Sequence, residues 1–135
     1  MWVNDDQLLW KKAYDAYDTR KNGIIYKDHP FISNIRLMIS GMQEMDIDKI
    51  RSYYDENARI YDVMNSGEFE FLTLDEEMAN IENAFKAYEM VYIQEIGYPD
   101  ALAYEGGNVV IISWWKMRIK NRKSGKIGTI MQHIQ

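Results

Sequence analysis

The chain of 135 residues contains no cysteine, which excludes a disulfide scaffold, a zinc–thiolate centre and a cysteine nucleophile together. Histidine is scarce as well: two residues are too few for a histidine metal cluster. Positive charge is not in surplus. The formal balance is −5, so no nucleic-acid partner is expected, because a general binder needs excess cations to displace counterions from phosphates. No apolar run approaches the ~20 residues of a membrane-spanning helix. No membrane partner is therefore expected, and the lack of an opening signal peptide makes the cytoplasm the default location. What is present is a composition that folds: 47% hydrophobic and 27% charged residues, with ten Tyr, four Trp and four Phe to fill a core or a pocket. The length suits a single domain.

Hydrophobic periodicity divides the chain into helices first and strands last. Asn4 and Gln7 have capping-box spacing and open a helix to Tyr17, whose buried stripe is either Leu8, Leu9, Ala13 and Tyr17 or Trp10, Tyr14 and Tyr17. Lys21-Asn22-Gly23 ends it as a turn. Pro30 suits the first position of a second helix, whose stripe runs Phe31, Ile35, Met38, Met42 and Met45, widened by Ile32 and Ile39. Asp46 is the expected N-cap of a short helix carrying Ile47, Ile50, Tyr53 and Tyr54.

After Asn57 the period changes. Residues 58–63 and 68–72 read as a hairpin about Asn65-Ser66-Gly67. Thr73 and Glu76 form a second capping box, opening a helix with Leu74, Met78, Ile81, Phe85 and Tyr88 on one face. Three strands then cover residues 90–104, 108–121 and 126–135, with Pro99 breaking or bulging the first because it cannot donate a ladder hydrogen bond. The fold class is α+β with an antiparallel sheet.

This order of elements resembles the nuclear transport factor 2-like superfamily, and one stretch carries the resemblance in detail. Met45-Asp46-Ile47-Asp48-Lys49-Ile50 followed by Tyr53-Tyr54-Asp55-Glu56-Asn57-Ala58-Arg59-Ile60-Tyr61-Asp62 is similar to the superfamily pattern of G-D-x-D-x-apolar and aromatic-x-D-D-A-x-apolar-x-D, with Met45 where glycine is usual. The resemblance implies a cone in which a curved antiparallel sheet wraps a long helix around an apolar cavity. It covers residues 30–135, leaving 1–29 as an added N-terminal helical extension, and the superfamily's usual last strand does not follow Gln135 in this sequence: either the sequence is a truncated piece or that strand is supplied otherwise. Such an open edge invites pairing with another chain.

Ketosteroid isomerases within the superfamily permit a residue-level reading. Their aspartate base matches Asp62, their oxyanion-hole tyrosine matches Met38, and their protonated aspartic acid matches Gln132. An oxyanion stabiliser must donate a hydrogen bond toward developing charge; methionine cannot and glutamine does so only modestly. Steroid isomerisation is thus not implied, whereas the SnoaL-like polyketide cyclases, which also use cavity carboxylates, remain similar. The resemblance implies a small-molecule-binding SnoaL-like domain, working as a cofactor-independent lyase, cyclase or isomerase. Asp62 is its candidate general base, and Met38, Met42, Tyr53, Tyr54, Phe85, Trp114, Trp115 and Gln132 are its ligand-binding residues. The expected ligand is a small apolar or aromatic molecule. The alternative is a non-catalytic interaction module of the same fold, a homodimer through the outer sheet face.

Each candidate has a plainer reading. Asp62 could cap an exposed turn. Adjacent strand residues face opposite ways, so one of Trp114 and Trp115 looks inward and the other outward, and parity alone does not say which; either could simply be packing. If Gln132 faces inward, His133 faces out. The run from Asp18 to His29 mimics a calcium loop, but Arg20 and His29 stand at its third and twelfth ligand positions, where a cation and an imidazole do not serve Ca²⁺. Lys116, Arg118, Lys120, Arg122, Lys123 and Lys126 read as a solvated hairpin. Asp75-Glu76-Glu77 reads as charge suited to a helix N-terminus.

Overall fold

The computed structural model describes residues 11, 24–26, 28–62, 70–104 and 106–135. The helix expected from Asn4 to Tyr17 and the turn at Asn65-Ser66-Gly67 lie outside the described residues.

Local chemistry sets the helix boundaries. Helix α1, Pro30–Glu44, opens with proline in its first turn, and the Nδ1 of His29 accepts the Phe31 N–H at 3.1 Å. The twelfth position of the calcium-like run is therefore a helix cap. At the other end Met45 is left-handed (φ 58°, ψ 36°), and the following Asp46 N–H returns to the Gly41 carbonyl at 3.0 Å. A left-handed residue at this position is the reason a glycine is favoured there. Asp46 then caps α2, Ile47–Ser52, by accepting the Lys49 N–H at 3.0 Å. Helix α3, Leu74–Ala87, begins with a reciprocal capping box: the Thr73 N–H donates to Glu76 Oε2 at 2.9 Å and the Glu76 N–H to Thr73 Oγ1 at 3.3 Å. Tyr88, expected on the α3 face, instead opens the next strand with extended backbone.

Strands β1 (Ile24–Tyr26), β2 (Tyr88–Ala103), β3 (Val109–Asn121) and β4 (Ile127–Ile134) form one sheet in the order β1-β2-β3-β4, antiparallel throughout. Strand β1 was not expected. It pairs with residues 101–103 of β2, so part of the segment assigned to the N-terminal extension belongs to the sheet. The hairpin expected over 58–63 and 68–72 reduces, among the described residues, to an isolated bridge between Ile60 and Leu72. Between β3 and β4 the Asn121 carboxamide oxygen accepts the N–H groups of Lys123 and Ser124, both at 2.9 Å, and Gly125 takes φ 72°. This is the turn chemistry the sequence advertises.

Two irregularities bend β2. One lies at residues 97–99, where Gly97 has φ 68° and Pro99 supplies no donor. The other lies at Val91 and is stitched to α1: the Gln43 side chain accepts the Ile93 N–H at 2.6 Å and donates to the Val91 carbonyl at 3.4 Å. A bulge leaves ladder groups unpaired, and the carboxamide of Gln43 has one donor and one acceptor for them.

The helices cover one face of this sheet. Met38 and Ile39 of α1, Ile50 of α2, Leu74, Met78 and Phe85 of α3, and Trp115 and Met117 of β3 form the main core; Ile32, Ala101 and Ile111 form a second. The α1 stripe is thus rotated from the expected one. Ile32 is buried, whereas Phe31 is 47% exposed and turns its ring edge-on to His29, 4.8 Å between centroids. Gly41 lets α2 approach α1: a Cβ there would lie 3.0 Å from Ile50 Cγ1 and 3.2 Å from the Ile50 nitrogen. Arg36 locks α1 to the sheet through Glu95, Nε to Oε1 at 2.8 Å and Nη2 to Oε2 at 3.1 Å.

Candidate functional site

On β3 the two faces are unambiguous. Ile111, Ser113, Trp115 and Met117 are buried under the helices, so Trp115 is the inward tryptophan. Its indole N–H donates to the buried Ser113 hydroxyl at 2.9 Å. Trp114 points to the outer face, is 50% exposed, and lies against His133 with ring centroids 4.2 Å apart. Gln132 stands opposite Trp115 and so shares its face, with its side chain exposed; His133 stands opposite Trp114. Of the other residues singled out from the sequence, Met38 and Phe85 are buried in the main core. Met42, Tyr53 and Tyr54 pack partly buried against it.

The bridge Ile60–Leu72 decides where Asp62 goes. Leu72 immediately precedes the Thr73 cap, and the bridge is closed by both N–H···O bonds, at 3.0 and 2.7 Å. The chain after Ile60 is thereby held at the start of α3. Arg51 ties α2 to the same turn through Asp75, Nη1 to Oδ1 at 2.7 Å. Of the acidic run 75–77, Asp75 is taken by Arg51 and Glu76 by the capping box.

Glu77 has a different setting. It is half-buried, and burial pushes its carboxyl above the ordinary glutamate range; the negative charge of Asp62 pushes it further the same way. Tyr54 responds to the same surroundings. Its hydroxyl is pushed up to about 12, first by burial and then by Glu77. Asp62, Glu77 and Tyr54 are thus electrostatically joined at one end of the helical layer. Two carboxylates and a neutral phenol can together hold and pass a proton. Sequence reading missed Glu77, although the signal was present: it sits three residues after Leu74 and four before Ile81, on the apolar stripe of α3.

A separate shallow groove of about 260 Å³ lies along the β3–β4 hairpin, lined by Tyr88, Ile119, Asn121, Ser124, Lys126, Ile127 and Gly128. None of the sequence-derived site residues lines it.

No family model matches the sequence, and no curated protein matches it. A solved structure similar to this chain is that of a SnoaL-like polyketide cyclase from Shewanella denitrificans OS-217. The likeness spans 78% of this chain and 92% of that one at 11% identity, with a TM-score of 0.36. It transfers no residue roles. The architecture itself is α+β, an open antiparallel sheet covered by helices on one face, and is compatible with a nuclear transport factor 2-like fold.

Proposed function

We propose that the chain is a small-molecule-binding domain of the SnoaL-like type, whose chemistry is cofactor-independent proton transfer on a small apolar or aromatic ligand. The observation that carries this reading is Glu77, a carboxyl held half-buried on an apolar helix face and kept above its usual range beside Asp62. A proton carrier works best when its affinity lies near the working pH, and burial beside a like charge moves a carboxyl in that direction. In this reading Asp62 is the base that takes a proton from the ligand, Glu77 is the acid that returns one, and Tyr54 is a neutral hydroxyl donor to the developing oxyanion. Tyr53 and Met42 supply apolar wall.

The test joins titration to ligand binding. Protonated Glu77 is favoured in the native state, so its contribution to stability is complete below the ordinary glutamate range and is lost as pH rises through its raised value. Glu77→Gln should abolish that loss, and Asp62→Asn should reduce it; urea midpoints measured across acid to neutral pH read both. A thermal-shift screen against apolar ketones, aromatic acids and polyketide-like compounds should give a saturable rise in melting temperature for one class, altered in both variants. A flat screen, with Glu77 titrating in the ordinary range, would remove the basis of the proposal.

A second reading is an interaction module that dimerises through its outer sheet face. It is favoured by one observation: Trp114 and its neighbour Ile96 are exposed side by side on that face, with Met131 on the adjoining strand.

A further inference from the structure

The net balance of −5 hides a segregation of charge along the chain. Residues 106–135 hold six lysines and arginines and no aspartate or glutamate. The other ten cations and all 21 acidic residues precede them, so this segment carries +6 and the remainder −11. Such an asymmetry between parts of one chain marks attraction to a polyanion.

The fold turns that segregation into a row. Successive outward residues of β3 are Trp114, Lys116, Arg118 and Lys120, spaced about 7 Å apart. Arg118 and Lys120 are exposed and Lys116 is half-buried. The ion pairs among the described residues are Arg36–Glu95, Lys49–Glu44 and Arg51–Asp75, and none of them takes a cation of this row. Glu89, opposite Lys120, is the one carboxylate that the strand register sets beside the three. Arg122, by contrast, is spent on the fold, its Nε donating to the Phe85 carbonyl at 3.0 Å. An aromatic platform continues the row. Trp114 lies exposed against His133, whose Nδ1 donates to the Ser113 carbonyl at 3.2 Å and so holds the imidazole in place. Tyr92 stands opposite Arg118 on the same face. None of these side chains belongs to the core, which lies under the helices on the other side.

We propose that this outer face binds a single-stranded nucleic acid, with phosphates along Lys116, Arg118 and Lys120 and a base on the Trp114–His133 platform. Single strands are gripped by this combination, cations that follow the backbone and aromatic faces on which bases stack. The charge and the rings together single out the occupant. A second copy is a poor one, because it brings the same three cations to the contact. An acidic protein answers the charge alone. A duplex answers the charge too, but its base faces stay buried in its own stack, whereas those of a single strand are free. The surface lies across the sheet from the helical layer that carries Tyr54 and Glu77, so it stands apart from the proton-transfer reading.

Fluorescence anisotropy of labelled oligo(dT) and oligo(U), each of about twelve nucleotides, tests this on the full chain. Micromolar binding of at least one is expected, and the stronger of the two names the preferred sugar. Three phosphate contacts give a log–log salt slope of about −2, a loss of about twentyfold between ~50 and ~200 mM salt. Trp114→Ala should weaken binding at least about fivefold, and Trp114→Phe should restore most of it. Arg118→Gln should reduce the steepness of the salt slope by about 0.7. Lys86→Gln removes an exposed cation of α3 and should change neither reading. Polyglutamate of equal charge and a duplex of the same length should both bind more weakly than the single strand. All three positions are on the surface, and unchanged melting temperatures show that the variants fold. No binding of either oligomer, binding indifferent to Trp114→Ala, or a salt slope unchanged in Arg118→Gln would each overturn the proposal. Polyglutamate bound as tightly would make the face a site for acidic protein, and self-association lost in Trp114→Ala without oligomer binding would make it a protein interface; either outcome also overturns it.

Discussion

Replacing Gly41 by alanine sets two effects of opposite sign against each other within α1. Alanine is the better helix former, by about 1 kcal/mol in a helix interior. On that ground alone Gly41→Ala would stabilise. The new methyl carbon, however, would stand 3.0 Å from Ile50 Cγ1, 3.2 Å from the Ile50 backbone nitrogen and 3.3 Å from Lys49 Cγ. The lysine stem can swing aside. The Ile50 nitrogen cannot, because it donates to the Asp46 carbonyl at 3.0 Å inside α2, and the Ile50 side chain is fully buried. Separating two packed helices by a few tenths of an ångström typically costs about 1–3 kcal/mol. At its mid-range of about 2 kcal/mol the clash outweighs the propensity, and Gly41→Ala should lose about 1 kcal/mol, a fall in melting temperature of roughly 3–5 °C for a domain of this size. Urea unfolding followed by tryptophan fluorescence measures it. Asn34→Ala on the exposed side of the same helix is the control and should gain a few tenths of a kcal/mol. A Gly41→Ala protein as stable as wild type, or more so, would refute the close approach of α1 and α2.

Two further outcomes follow from single residues. Ser113→Ala should destabilise by about 1–3 kcal/mol, because it strands the buried Trp115 indole N–H; adding Trp115→Phe should recover part of that loss, read as a coupling in a double-mutant cycle of urea midpoints. At Met45 the usual helix ranking should invert. The left-handed backbone penalises any Cβ by about 1–2 kcal/mol, so Met45→Gly should melt higher than Met45→Ala even though both lose the methionine packing.

Much of the fold was legible because its boundaries are written in local chemistry. Pro30 removes an N–H that would otherwise be orphaned, Asp46 and the Thr73–Glu76 pair satisfy orphan backbone groups within a few residues, and all three described helix starts fall where those residues put them. The strands β2 to β4 were legible from their length and intervening turns. Strand β1 was not, since three residues carry no period and its partner lies far along the chain. The face of β3 was not legible either. Val110 and Ile112 are as apolar as Val109 and Ile111, and only the helices packed above the sheet break the tie in favour of Trp115. At the candidate site Asp62 came from a resemblance and the tyrosines from a short apolar stripe. Glu77 was hidden by its company: beside Asp75 and Glu76 it looked like one more charge at a helix start, and its burial depends on which side of α3 meets the core.

The bulge at Val91, with Gln43 bound across it, also acts as a phase reset in β2. Before it the even-numbered residues Tyr88 and Met90 share the inner face of the sheet; after it the odd-numbered Ile93 and Glu95 do. Spelling errors of one residue between α3 and this point, a codon gained or lost, can be absorbed at Val91 without turning Ile93 out of the core or taking Glu95 from Arg36. Downstream of Ile93 no such slack exists until Gly97. The β2 strand is therefore two separately framed reading units joined by a glutamine from a helix, and the second unit, the one that holds α1 in place, is insulated from changes in the first.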